Sequence, residues 1–127
     1  MACILSKGEK PLDWVGSSKR DFVGFPEPVR DEMGNALGLA QFGDQHPSAK
    51  PWKGEGPGIF ELVESHEGNA YRAVYTVRFK EVVYVSHAFQ KKSPKGVKTA
   101  KLDFDMVERR LKVAQQDYEA RYGKAKR

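Results

Sequence analysis

Residues 71–92 read YRAVYTVRFKEVVYVSHAFQKK, and this stretch decides the fold. From Tyr71 to Phe79 the chain alternates. Tyr71, Ala73, Tyr75, Val77 and Phe79 fall on one side, Arg72, Val74, Thr76 and Arg78 on the other. A period of two belongs to a strand with unlike faces. Lys80 and Glu81 turn the chain, and Val82 to Phe89 is then apolar on both sides, the pattern of a central strand. Upstream, Glu67-Gly68-Asn69 is a turn signal. Before it Ile59 to Glu64 alternates, with Phe60 and Leu62 opposite Glu61. Three successive strands follow from these patterns.

Helical spacing appears on either side of the strands. Val29, Met33, Ala36, Leu37 and Ala40 form a stripe that Pro26 and Pro28 open and Gly43 closes. Before it, Leu12 and Trp14 mark a short strand, and Ser17 or Ser18 caps a short helix with Asp21 in the manner of a capping box. After the strands, Thr99 caps a last helix with Asp103 and Asp105 in its first turn. Its stripe is Leu102, Met106, Val107, Leu111, Ala114 and Tyr118, and Gly123 stops it. The order β-α-α-β-β-β-α predicts an α+β fold: a small, mostly antiparallel sheet with helices packed on one face. Residues 1–127 make one domain, of which 1–9 are a loose arm.

Composition narrows the function. Cys3 is the one cysteine, so an internal disulfide and a Cys-rich zinc site are both excluded. No apolar run is long enough for a signal peptide or a membrane span, which predicts a cytoplasmic protein. His46, His66 and His87 show no metal-ligand spacing, and no metal or other cofactor is expected. The glycines of Gly54-Glu55-Gly56-Pro57-Gly58 precede a strand, whereas phosphate loops precede a helix. The net charge of +5 is unevenly spread. Residues 1–85 hold 10 basic and 12 acidic groups, residues 86–127 hold 12 basic and 5 acidic. Lys91, Lys92, Lys95, Lys98 and Lys101 lie in a stretch without any acid, which points to an anionic partner: nucleic acid first, an acidic protein second.

On these strands Arg72 and Arg78 project opposite the aromatic row, from the open face of the sheet. His87 lies near the end of the next strand, with the lysines following. Such a surface holds what metal-free RNA cleavage needs. An imidazole moves protons, and fixed cations stabilise the charge growing on phosphorus. Each member also has a plain reading. His87 alone is a packed histidine, either arginine alone a solvated strand residue, the lysines alone a solvated loop, and Trp52 with Lys53 loop packing.

Tyr71-Arg72-Ala73-Val74-Tyr75, then Val83-Tyr84-Val85-Ser86-His87-Ala88-Phe89-Gln90-Lys91-Lys92-Ser93, then a C-terminal helix, resembles the phage-derived, HigB-like branch of the RelE/ParE toxin superfamily. Pro51-Trp52-Lys53-Gly54 and Ile59-Phe60-Glu61-Leu62 fit the same branch, and the likeness spans roughly residues 10–120. It implies a RelE-like fold and a type II toxin that enters the ribosome and cuts mRNA by 2′-hydroxyl attack. It further implies neutralisation by a cognate antitoxin of the helix-turn-helix, HigA-like kind. Carried over residue by residue, Arg72, His87, Lys91 and Lys92 are the catalytic candidates. Lys50, Lys53, Arg78, Lys95, Lys98 and Lys101 are the RNA-binding candidates. Tyr118 and Tyr122 fall on the last helix as packing residues, which leaves the general base open. A ParE-like gyrase poison or an interaction module without nuclease activity is the alternative.

Overall fold

The computed structural model describes residues 8–91 and 101–123. Its elements run β1 (Leu12–Trp14), α1 (Ser18–Val23), α2 (Glu27–Gln41), β2 (Lys50–Pro51), β3 (Ile59–His66), β4 (Asn69–Thr76), β5 (Val83–Lys91) and α3 (Lys101–Tyr122). The α+β class and the sequence of the main elements are as expected. The two-residue β2 is an addition, made where the proline-rich loop pairs Lys50 with Glu61. The sheet order is β1-β5-β4-β3-β2. Every pairing is antiparallel except that of β1, which runs parallel to β5 with Leu12 opposite Val83.

Local chemistry sets the boundaries. Glu67 and Gly68, both at positive φ, make the tight turn of the β3–β4 hairpin, whose strand twist such a turn matches. At the end of α2, Gly43 takes φ +89°. There its N–H bonds the Ala40 carbonyl and the Asp44 N–H bonds the Leu39 carbonyl, so two helix-end acceptors are satisfied. The capping box at α1 does not form. Ser17 precedes the helix but donates its hydroxyl to the Asp21 carboxylate, not to a backbone group. Thr99, the expected cap of α3, lies outside the described residues.

Both sheet faces are covered, which corrects the expectation of helices on one face alone. Val29, Met33, Ala36, Leu37 and Ala40 of α2 bury Leu62, Tyr71, Ala73, Tyr75, Val83 and Val85. On the reverse face, Val107 and Leu111 of α3 pack on Trp52, Ile59 and Val74. Further along α3, Ala114 and Tyr118 pack on Phe79, Val82 and Tyr84. A sheet apolar on both sides has to be covered on both sides. Phe79 therefore belongs with α3 and not with the aromatic row of β4, because the strand ends at Thr76 and the chain turns over. Arg78 lies beyond the strand for the same reason. Leu102 points outward, 80% exposed, at the edge of its helical stripe.

The alternation of β5 is broken once. Tyr75 pairs with Val85 but Val74 pairs with His87, so Ser86 is an extra residue, a β-bulge. Val83 and Val85 face α2, and after the bulge so does Ala88. His87 and Phe89 are thereby turned to the α3 side. Ser86 donates its hydroxyl to the Val74 carbonyl, while its own carbonyl accepts from Arg110 of α3 at 3.2 Å. The far end of α3 is fixed by a polar cluster. Arg121 donates to Asp13, Asp117 and the Tyr84 hydroxyl, and that hydroxyl donates to Asp117 at 2.6 Å. Burial and this carboxylate push the Tyr84 phenol up to about 12.

If α3 is a core element, Leu111→Ala should cost as much as a substitution beneath α2. Leu37→Ala and Leu111→Ala should each lower the unfolding free energy by about 2–5 kcal/mol in urea titrations. A cost confined to Leu37 would show α3 to be an appendage.

Candidate functional site

Two rows of side chains cross the α3 face of the sheet near its open end. The first runs Lys50, Glu61, Val74, His87 over β2, β3, β4 and β5, and the second runs Val63, Arg72, Phe89 over β3 to β5. Because opposed residues on neighbouring antiparallel strands point to the same side, one face carries Arg72, Glu61 and His87 together. The sequence placed Arg72 and His87 on one surface, and there they are. That surface is roofed by the first turns of α3 and is not open.

Arg72 reaches diagonally to Glu61, with its Nη1 2.8 Å from Oε2 and 3.3 Å from Oε1. The pair is mostly buried, and the Nε of Arg72 is buried with no hydrogen-bond partner. An anion that approaches this guanidinium competes with Glu61 for it.

His87 is 7% exposed. Its ring stacks on Phe89 with centroids 4.6 Å apart, and its Nε2 lies 2.9 Å from the Asp103 carboxylate in the first turn of α3. The carboxylate accepts, so a neutral imidazole carries its proton on Nε2 and leaves Nδ1, buried and unpartnered, as a lone pair. Burial holds His87 below the ordinary imidazole value, since it disfavours the charged form. The hydrogen bond to Asp103 opposes that shift, and the charge of Arg110 adds to it. Beside β5 a cleft of about 670 Å³ runs between α1 and the strand, lined by Arg20, Phe25, Tyr71, His87, Phe89 and Gln90.

The other candidates divide into three groups. Lys50 and Lys53 are exposed, on β2 and in the loop that follows it. Lys91 ends β5 opposite Ala70, two residues from Arg72, and Lys101 opens α3 two residues before Asp103, paired with Asp105. Lys92, Lys95 and Lys98 lie outside the described residues. Arg78 stands apart from Arg72. Its Nη2 donates to the carbonyls of Glu55 (2.6 Å) and Pro57 (3.3 Å), which makes it a brace of the glycine-rich loop. Among the described residues no group of three His, Cys, Asp or Glu side chains is placed to hold a metal ion, and no helix is long and apolar enough to cross a membrane.

Three residues of this region escaped the sequence reading. Asp103 was legible only as an acid favourable to a helix N-terminus, Arg110 carried no signal, and Phe104 lay off the α3 stripe. Phe104 packs on Trp52 with ring centroids 4.9 Å apart.

Residues 20–112 match the family described as phage derived protein Gp49-like (DUF891). No curated protein matches the chain. Two solved structures share its fold. A free-state E. coli toxin RelE with two arginines replaced by alanine is 19% identical, with TM-score 0.55, over 81% of this chain and 98% of that one. The isolated E. coli RelE toxin is also 19% identical, with TM-score 0.51, over 79% and 97%. The RelE-like architecture expected from the sequence is thus the observed one.

The burial of His87 has a pH signature. Its folded-state affinity for protons is lower than the unfolded one, so between the folded value and about 6.5 the unfolded chain binds more protons. Stability should be complete above pH about 6.5 and fall as the pH drops below it. Denaturant titrations at pH 7.5 and 5.5 should show this difference, and His87→Gln should diminish it.

Proposed function

The chain belongs to the phage-derived Gp49-like family, and we propose that it is the toxin of a type II toxin–antitoxin pair, an endoribonuclease that cuts mRNA in the ribosome. The observation that carries this reading is the placement of Arg72 and His87 in adjacent rows of one sheet face, near the last residue of β5, Lys91, and the first of α3, Lys101. That the solved structures sharing the fold are RelE toxins supports it.

The chemistry needs no group beyond those side chains. A base removes the proton of a ribose 2′-hydroxyl, the resulting oxyanion attacks the adjacent phosphorus, and the P–O5′ bond breaks as an acid protonates the leaving oxygen. Arg72, with Lys91 and Lys92, stabilises the negative charge on the equatorial oxygens. His87 moves a proton through whichever nitrogen is free. For that, the first turn of α3 has to release it, because Asp103 holds Nε2 and Nδ1 is closed off. Lys50, Lys53, Lys95, Lys98 and Lys101 draw the phosphate backbone to the rim. Arg78 acts on RNA only through the loop it braces. The partners are a cognate antitoxin of the helix-turn-helix, HigA-like kind, the ribosome and mRNA, and the setting is cytoplasmic.

The enclosure of His87 favours a second reading, a toxin without nuclease activity that acts by binding, for example to gyrase. Primer extension on mRNA after brief induction separates the two. Discrete cuts in ribosome-bound transcripts are expected, with Arg72→Ala lowering cleavage by about 10²-fold. Intact mRNA with damaged DNA would establish the second reading. Full cleavage by both Arg72→Ala and His87→Ala would remove these residues from the site.

A further inference from the structure

We propose that Phe104 is a stacking platform for a nucleobase of single-stranded RNA; this rests on, and deepens, the reading of the α3 face as an RNA-cleaving site. Large side chains of a helix that covers a sheet are ordinarily turned inward. Phe104 is 40% exposed in the first turn of α3, although it sits beside a core position. Its ring packs on Trp52 with centroids 4.9 Å apart and planes at 45°, and Trp52 is only 4% exposed. Trp52 is itself tied to β3 by its backbone N–H bond to the Ile59 carbonyl, so the exposed ring stands on a fixed base. The indole Nε1 of Trp52 is buried without a hydrogen-bond partner.

The surroundings select the occupant. Lys53 follows Trp52 in the chain and is exposed, and Lys50 lies two residues before it in register with Glu61, the partner of Arg72. On the other side Asp103, the neighbour of Phe104, holds His87. The first turn of α3 thus sets Phe104 against Trp52, the neighbour of Lys53 in the chain, and Asp103 against His87. An exposed ring bordered by cations fits a base with its phosphates, because every base has a π-face and phosphates seek ammonium groups. An apolar protein surface would leave those lysines without partners.

The test uses the full chain and a fluorescently labelled, 2′-O-methylated single-stranded RNA, which lacks the attacking hydroxyl and stays intact. Anisotropy titrations over a range of salt read affinity and salt slope together. Phe104→Ala should weaken binding about tenfold with an unchanged salt slope, since stacking is lost and no phosphate contact is. Phe104→Trp should restore it, while Phe104→Leu, which keeps the apolar contact with Trp52 but has no π-face, should not. Lys53→Ala should reduce the salt slope instead. Thermal melts identify any variant that has lost the fold, and the leucine and tryptophan variants keep the comparison valid if alanine does not fold. The proposal is overturned if the parent chain does not bind this RNA, if Phe104→Ala binds within about twofold of it, or if leucine serves as well as phenylalanine. Binding through Phe104 together with uncut mRNA in primer extension would sink the nuclease reading and sustain the platform.

Discussion

A single extra residue in β5 determines which side chains meet. Without Ser86 as a bulge, strict alternation after Tyr84 would send Ala88 to the α3 face and turn His87 and Phe89 toward α2. The bulge reverses the parity, so His87 comes to lie opposite Val74, one row from Arg72, with Phe89 against its ring. Two tethers make the irregularity stable. Ser86 donates across to β4, and Arg110 of α3 takes the carbonyl that the interrupted ladder leaves over. The site and the seating of α3 are thus one arrangement, since the helix that covers His87 also secures the backbone that presents it.

Much of the fold was legible because its signals are local. The Glu67-Gly68 turn, the stripe of α2 and the Gly43 stop each depend on a few adjacent residues and form where the sequence puts them, and the β4 alternation does so up to Thr76. The second helical layer was not legible. It depends on Val74, Thr76 and Ile59 being as apolar a surface as the row opposite, and the interposed Arg72 and Arg78 disguise that by reading as a solvent face. Arg78 proves to lie past the strand, and Arg72 is accommodated beneath the helix by Glu61. A parallel β1 is equally invisible, because nothing near Leu12 refers to Val83.

For the site the limit was distance along the chain. Arg72 could be placed on its face from strand period and the lysines from composition, but the face of His87 depends on the Ser86 bulge, which no local signal announces. Asp103 joins His87 across 16 residues, and Arg72 joins Glu61 across 11, through pairings that only the assembled sheet defines. The structure shows His87 as a packed histidine against α3, and the chemical reading of it as a proton carrier requires that helix to release it. Burial lowers the proton affinity of the imidazole, and its Nε2 bonds the helix that covers it.

The parallel pairing of β1 with β5 carries a consequence for the order of assembly. Leu12 leaves the ribosome about 70 residues before Val83, its partner, does. β3, β4 and β5 are consecutive, and their short-range pairings close small loops. The N-terminal strand must therefore wait for β5, whereas α2 already finds part of its apolar surface on β3 and β4. The beginning of the chain thus depends on a segment made late in synthesis. A truncated product that stops before β5 has no native place for its own first strand.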